Sequence, residues 1–155
     1  MNPEKLSHPL RLSIYLMGLI FVSLGIVLCK KCNLGISPIS SIPFVLEDVT
    51  HLSFGTLTML FHMLNILLQL ILVRKADVKI LLQIPVAFLF GYVINFIQLI
   101  LAFTADTIVL QMILLCLSVF CTAFGMVLML NMQLMQNPPD GLVRLISQIS
   151  GKEIG

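Results

Sequence analysis

Tryptophan is absent from this chain, tyrosine occurs twice, and Asp, Glu, Lys and Arg together supply only 10% of its 155 residues. A soluble domain of that size turns much of its area to water and needs far more polar surface, so a free-standing soluble fold is excluded. Nine basic and seven acidic residues leave a net charge of +2, with no basic stripe, and nucleic-acid binding has no support. The patterns that carry enzymatic chemistry are missing as well. There is no GxSxG, no HExxH, no P-loop and no pair of carboxylates inside an apolar run, so neither an enzyme nor a cofactor is expected. Four cysteines in so apolar a chain do not imply a disulfide framework. Cys29 and Cys32 form a CxxC, but without a second pair or a nearby histidine it falls short of the four ligands a structural zinc takes. Cys116 and Cys121 read as small packing residues.

What the chain has instead is hydrophobicity. Apolar residues make up 59% of it, in long uncharged runs separated by short charged clusters, the pattern of a polytopic membrane protein whose main partner is the lipid bilayer. After a polar lead at 1–11, a first span is predicted at 12–29, about 27 Å at 1.5 Å per residue. That run is too long for a signal-peptide core, and no small-x-small site precedes Lys30 and Lys31, so it reads as a retained span. Further spans are expected at 56–73, at 80–103 with a kink near Pro85, and at 108–130. Arg74, Lys75, Asp77 and Lys79 form a charged turn, and TADT at 104–107 joins the last two spans.

Between the spans lies the stretch around which the chain is organised. LGISPISSIPFVLEDVTHLSFG at 34–55 returns one hundred positions later, without a gap, as LMQNPPDGLVRLISQISGKEIG at 134–155. Pro38 falls on Pro138 and Gly55 on Gly155. Ile42, Val45, Leu46 and Val49 fall on Leu142, Leu145, Ile146 and Ile149, one i, i+3, i+4, i+7 stripe used twice. The match also runs backwards, placing Gly25 on Gly125. Ser40 and Asp140 are N-cap types at the head of each stripe, so short helices are expected at 41–52 and 141–150. Starting there puts Pro43 in the first turn, where a missing N–H is harmless. Two placements stay open. The helices lie at the membrane surface, or they are re-entrant, with N-termini turned inward and partly positive. Asp140 puts a carboxylate at the second N-terminus, which opposes a free anion there.

Seven basic residues (Lys5, Arg11, Arg74, Lys75, Lys79, Arg144 and Lys152) against two (Lys30 and Lys31) predict an N-terminus inside the cell. One repeat unit then holds three spans, and an odd number forces the second copy to insert upside down. The expected architecture is all-α, a single membrane domain with four transmembrane helices and two short amphipathic or re-entrant helices. It is organised as an inverted three-plus-three repeat whose first unit covers 1–103. The second unit begins at 104–155 and is expected to be incomplete, with two spans lacking.

The spans carry polar seams at helical spacing: Thr58, His62, Asn65 and Gln69; Gly91, Asn95, Gln98 and Ala102; Gln111, Ser118, Thr122 and Gly125; and Arg11, Gly18 and Gly25. On one reading they glue helices together, each contact contributing about 0.6 kcal/mol. On the other, His62, Asn65, Gln69, Asn95 and Gln98, with Ser40 and Asp140, line a hydrated pathway for a small molecule or ion. His62 is the only ionisable side chain well inside a predicted span.

LGISP after the first span, LSFGT before the second and the later NPPDGL resemble the bacterial YczE/YyaS/YitT-type integral membrane proteins. Pro138, Asp140, Gly141 and Leu142 match that family's G-P-x-D-G-L-like segment, with Asn137 in place of Gly and Ser40 in place of an acid in the first copy. The resemblance extends to Gly35, Pro38 and Gly55 as structural markers. It implies a multi-pass protein of the cytoplasmic membrane and supplies no substrate. Two function classes follow: a small-molecule transporter, or a non-transporting module that captures a substrate or scaffolds a partner membrane subunit or a second copy of itself.

Overall fold

In the computed structural model, which describes residues 7–73, 78–135 and 137–151 (backbone only at 79), the described residues are helical with no strand. Four helices are long and apolar enough to cross a membrane: α1 (His8–Cys32), α3 (Phe54–Val73), α5 (Gln83–Ile100) and α6 (Ile108–Met132). The shortest has 18 residues, about 27 Å, close to the hydrocarbon thickness. Their outer faces are apolar and open: Leu99 is 76% exposed, Tyr92 69% and Phe120 66%. Such a surface suits lipid and not water. The charged turn at 74–77, with Lys5, Lys152 and Gly155, lies outside the described residues.

The spans expected at 12–29, 56–73 and 108–130 fall inside α1, α3 and α6, which run a few residues further where helix caps permit. The third is broken. A single turn, α4 (Val78–Leu81), precedes α5, and the chain interrupts at Leu82, three residues before Pro85. A proline ring disfavours helical backbone before it and cannot donate to the preceding turn, so the break sits where the kink was expected.

The two short helices are α2 (Pro38–Thr50) and α7 (Pro138–Ser150), and they correct the expected starts. Neither Ser40 nor Asp140 is the N-cap; Ser37 and Asn137 are, in extended conformation, with proline at the first helical position of each. A proline there gives up an N–H that has no helical partner anyway and arrives with φ already suited to the helix. Pro43 consequently lies inside α2, where it forfeits one ladder bond and tucks its ring against the protein. The C-terminal ends also agree: Asn33, His51, Gln133 and Gly151 all adopt the left-handed conformation that closes a helix.

The most extensive crossing is α1 against α6, antiparallel. Arg11, early in α1, gives its Nη2 to the carbonyl of Met132 at 2.6 Å, late in α6. A Cβ on Gly18 would stand 2.8 Å from the Gly125 carbonyl oxygen, and one on Gly125 2.6 Å from that of Gly18. A Cβ on Gly25 would meet the Ser118 carbonyl at 2.8 Å. Lipid is as apolar as a leucine face, so helices in a membrane gain mostly from such close backbone approach. The α3–α5 pair repeats the device at Gly55 and Gly91, whose added Cβ atoms would reach the opposite carbonyl at 2.3 and 2.6 Å. Tyr15, Leu19, Val22, Val27, Phe54, Phe90, Ile94, Met129 and Met132 form the main core between these pairs.

A cavity where two helix starts meet

The four seams come together differently from one another. Thr58, His62, Asn65 and Gln69 are all buried on one face of α3. Only Thr58 and His62 line a mostly apolar cavity of about 450 Å³. Its walls come from the middle of α1 (Val22, Ile26), of α3 (Phe61, His62) and of α6 (Ser118, Val119, Thr122, Met126). The first turns of both short helices close it: Ser37, Ile39 and Ser40 of α2, and Asn137, Pro139 and Asp140 of α7. The N-termini of α2 and α7 thus reach the level of the middle of the spanning helices. Their apolar stripes point away from the protein, with Val45 59% exposed, Val49 70% and Ile149 60%.

Of the seven candidate pathway residues, His62, Ser40 and Asp140 share this cavity. The other four make contacts elsewhere. Asn65 donates to the Phe61 carbonyl of its own helix at 2.7 Å. Gln69 exchanges amide hydrogen bonds with Gln83 of α5 (3.2 and 3.3 Å) and donates to the Pro138 carbonyl at 2.9 Å. Gly141 lets α7 lie directly on it, since a Cβ there would stand 2.9 Å from the Gln69 amide oxygen. Gln69 therefore seats the start of α7. Asn95 does the equivalent for α3, accepting from the Gly55 N–H at 2.9 Å and donating to Thr56 at 3.4 Å. Gln98 reaches Glu47 of α2 at 3.5 Å. Glu47 is also the ion-pair partner of Lys30, whose ammonium sits 4.7 Å from the centre of the Phe54 ring.

Inside the cavity the His62 ring stacks on Phe90, centroids 5.2 Å apart and planes 20° apart, and its Nδ1 is buried with no hydrogen-bond partner. Asp140 receives a bond from the Asn137 side chain at 3.3 Å. Among the described residues no three His, Cys, Asp or Glu side chains cluster as a metal would require. The aromatic wall of Phe61 and Phe90 and the caps Ser37 and Asn137 were not singled out from the sequence. The Ser-Pro and Asn-Pro pairs were the available signal for the caps, since proline favours the first helical position.

Fold and cavity define a multi-pass helical membrane protein with a half-open, mostly apolar chamber. The chain belongs to the family of unknown function DUF6198, whose model matches residues 9–155. No curated protein and no solved structure matches it.

Proposed function

We propose that this protein is a small-molecule transporter of the cytoplasmic membrane, built on an inverted repeat in which α1–α2 and α6–α7 are counterparts. The observation that carries the reading is the convergence of two short proline-started helices on one chamber halfway along the spanning helices. Interrupted short segments at corresponding places in two halves are the mark of transporter binding sites. The counterpart elements stand one hundred residues apart at both ends: α1 (His8–Cys32) with α6 (Ile108–Met132), and α2 (Pro38–Thr50) with α7 (Pro138–Ser150). The crossing is reciprocal too, Gly18 against Gly125 and Gly25 against Ser118, as a two-fold axis between antiparallel helices requires. On this reading α2 and α7 are re-entrant. The likeness of LGISP, LSFGT and NPPDGL to YczE/YyaS/YitT-type proteins agrees with a cytoplasmic-membrane location.

The test is flux. The full-length protein, purified and reconstituted in liposomes, is expected to take up at least one radiolabelled solute from a panel of small amines, amino acids, carboxylates and sugars, saturably and above protein-free vesicles. Ala123→Phe places a ring in the chamber from an exposed position and is expected to abolish that uptake while the protein still purifies normally. Binding of a panel member without any flux would identify a capture module instead. Flux indifferent to Ala123→Phe would overturn the chamber as the route.

A further inference from the structure

We infer that the chamber takes a small organic ammonium ion, singly charged with an apolar body, and that Asp140 is its counter-ion. The inference rests on the transport reading for its purpose, although binding can be measured without flux. Two helix N-termini facing one void would ordinarily favour an anion. Here each has lost donors to proline and to its own cap. In α2, Pro38 has no N–H, and the Ser40 N–H is taken by the Ser37 carbonyl at 3.0 Å and hydroxyl at 3.4 Å. In α7, Pro138 and Pro139 remove two successive donors, the Gly141 N–H goes to the Asn137 carbonyl at 2.9 Å, and Asp140 sets a carboxylate over what remains.

The charge of the chamber follows from its lining. Among the described residues that line it, Asp140 is the one carboxylate and there is no Lys or Arg. Its described hydrogen-bond partner is a neutral amide, Asn137; Arg144, one turn on in α7, lines an adjoining pocket with Asp140, and the ion pair among the described residues is the distant Lys30–Glu47. A carboxylate beside an apolar void is costly unless a cation joins it. Two further features suit a positive guest. His62, only 5% exposed, holds a ring nitrogen without a partner on the same wall. Pro43 has no N–H to offer the Ile39 carbonyl, so that oxygen lacks its helical donor beside the chamber. Phe61 adds to the wall an aromatic ring, a group that attracts cations. An inorganic cation would need six or so oxygen ligands in place of its water. One carboxylate and scattered hydroxyls on an apolar wall do not supply them. An ammonium group on a hydrocarbon body requires one counter-ion and an apolar wall, and about 450 Å³ is a fitting size.

The experiment measures binding to the purified full chain in detergent by competition and thermal shift. The probes are butylammonium, phenethylammonium and tetraethylammonium, each beside the carboxylate or neutral compound of matching shape. At least one ammonium probe is expected to bind while its carboxylate and neutral counterparts do not. Asp140→Asn is expected to weaken that binding by at least about thirtyfold, the effect of removing one partner of a desolvated charge pair. Asp140→Glu, which keeps the charge, is expected to retain most of it and guards against a folding defect. Tighter binding of the carboxylates, no binding by any ammonium probe, or equal binding by Asp140→Asn would each overturn the inference. Liposome flux of the same panel separates the two readings. Ammonium binding without flux leaves the inference standing and removes the transporter, whereas flux of carboxylates or neutral solutes alone does the reverse.

Discussion

Asn65 and Asn95 are the same residue type on neighbouring helices, yet the structure gives them unequal tasks. The Asn95 oxygen accepts the N–H of Gly55, in the first turn of α3, a donor that no helical carbonyl satisfies. Replacing Asn95 with Leu leaves that buried donor without a partner and is expected to cost about 1–2 kcal/mol. Asn95→Asp keeps the acceptor and is expected to cost less. Asn65 bonds a carbonyl of its own helix, so Asn65→Leu is expected to cost under about 1 kcal/mol. Equilibrium unfolding of purified variants in mixed micelles measures both. Equal losses for the two leucine variants would show that Asn95 is not a cap.

At the scale of elements, α2 is held at two places by different physics. Its start is fixed by Ser37, Pro38 and the chamber; its later turns are fixed by Glu47, which joins Lys30 of α1 and Gln98 of α5. Both partners of the ion pair are largely shielded, with 14% and 21% of their side chains exposed, so the pair is worth more than a surface one. Glu47→Gln is expected to loosen α2 by about 1–2 kcal/mol, read as faster amide hydrogen exchange along 44–50. α7 has Ser147 at the counterpart position and should not respond, which makes it the internal control. Exchange that quickens in both helices alike would mean the pair acts on the whole bundle.

These elements also show what was legible beforehand. Apolar run length located α1, α3, α5 and α6 because a bilayer demands about 20 apolar residues and little else produces them. The start of α2 was misplaced because a proline at its sixth position looked prohibitive, whereas one lost ladder bond is tolerated when the ring packs inside. Helical spacing placed Thr58, His62, Asn65 and Gln69 on one face, and all four are buried. Spacing does not say what that face meets. Gln69 lies against Gln83 and Pro138, and His62 against Phe90 and a void, because the neighbour of each turn is set by the packing of other helices.

For the whole molecule, orientation is the property that would tie the proposed repeat to the proposed route. Basic residues favour the cytoplasmic side of short loops, and the seven-to-two division predicts that the N-terminus, the 74–79 turn and the 131–155 segment lie inside. Residues 30–55 and 104–107 are then predicted to lie outside. The antiparallel packing of α1 on α6 meets this arrangement, since Arg11 and Met132 share one end of the pair. Lys30 and Lys31 are the basic residues left on the far side, and Lys30 is neutralised there by Glu47. With that orientation, re-entrant α2 and α7 would start from outside and from inside respectively, as the proposed opposed copies of one unit require. The probe position between α5 and α6 follows from exposure. Ala105 is buried, so a cysteine there would be shielded whatever its side; Asp106, next to it, is exposed. In a background with all four native cysteines replaced, a membrane-impermeant maleimide added to intact cells is expected to label Asp106→Cys. Ala76→Cys and Ser150→Cys are expected to react only after the cells are opened. Labelling of Ala76→Cys or Ser150→Cys from outside would reverse the orientation. Labelling of all three from one side would place α7 and the α5–α6 link on the same face and remove the inverted repeat, and the two-ended chamber with it.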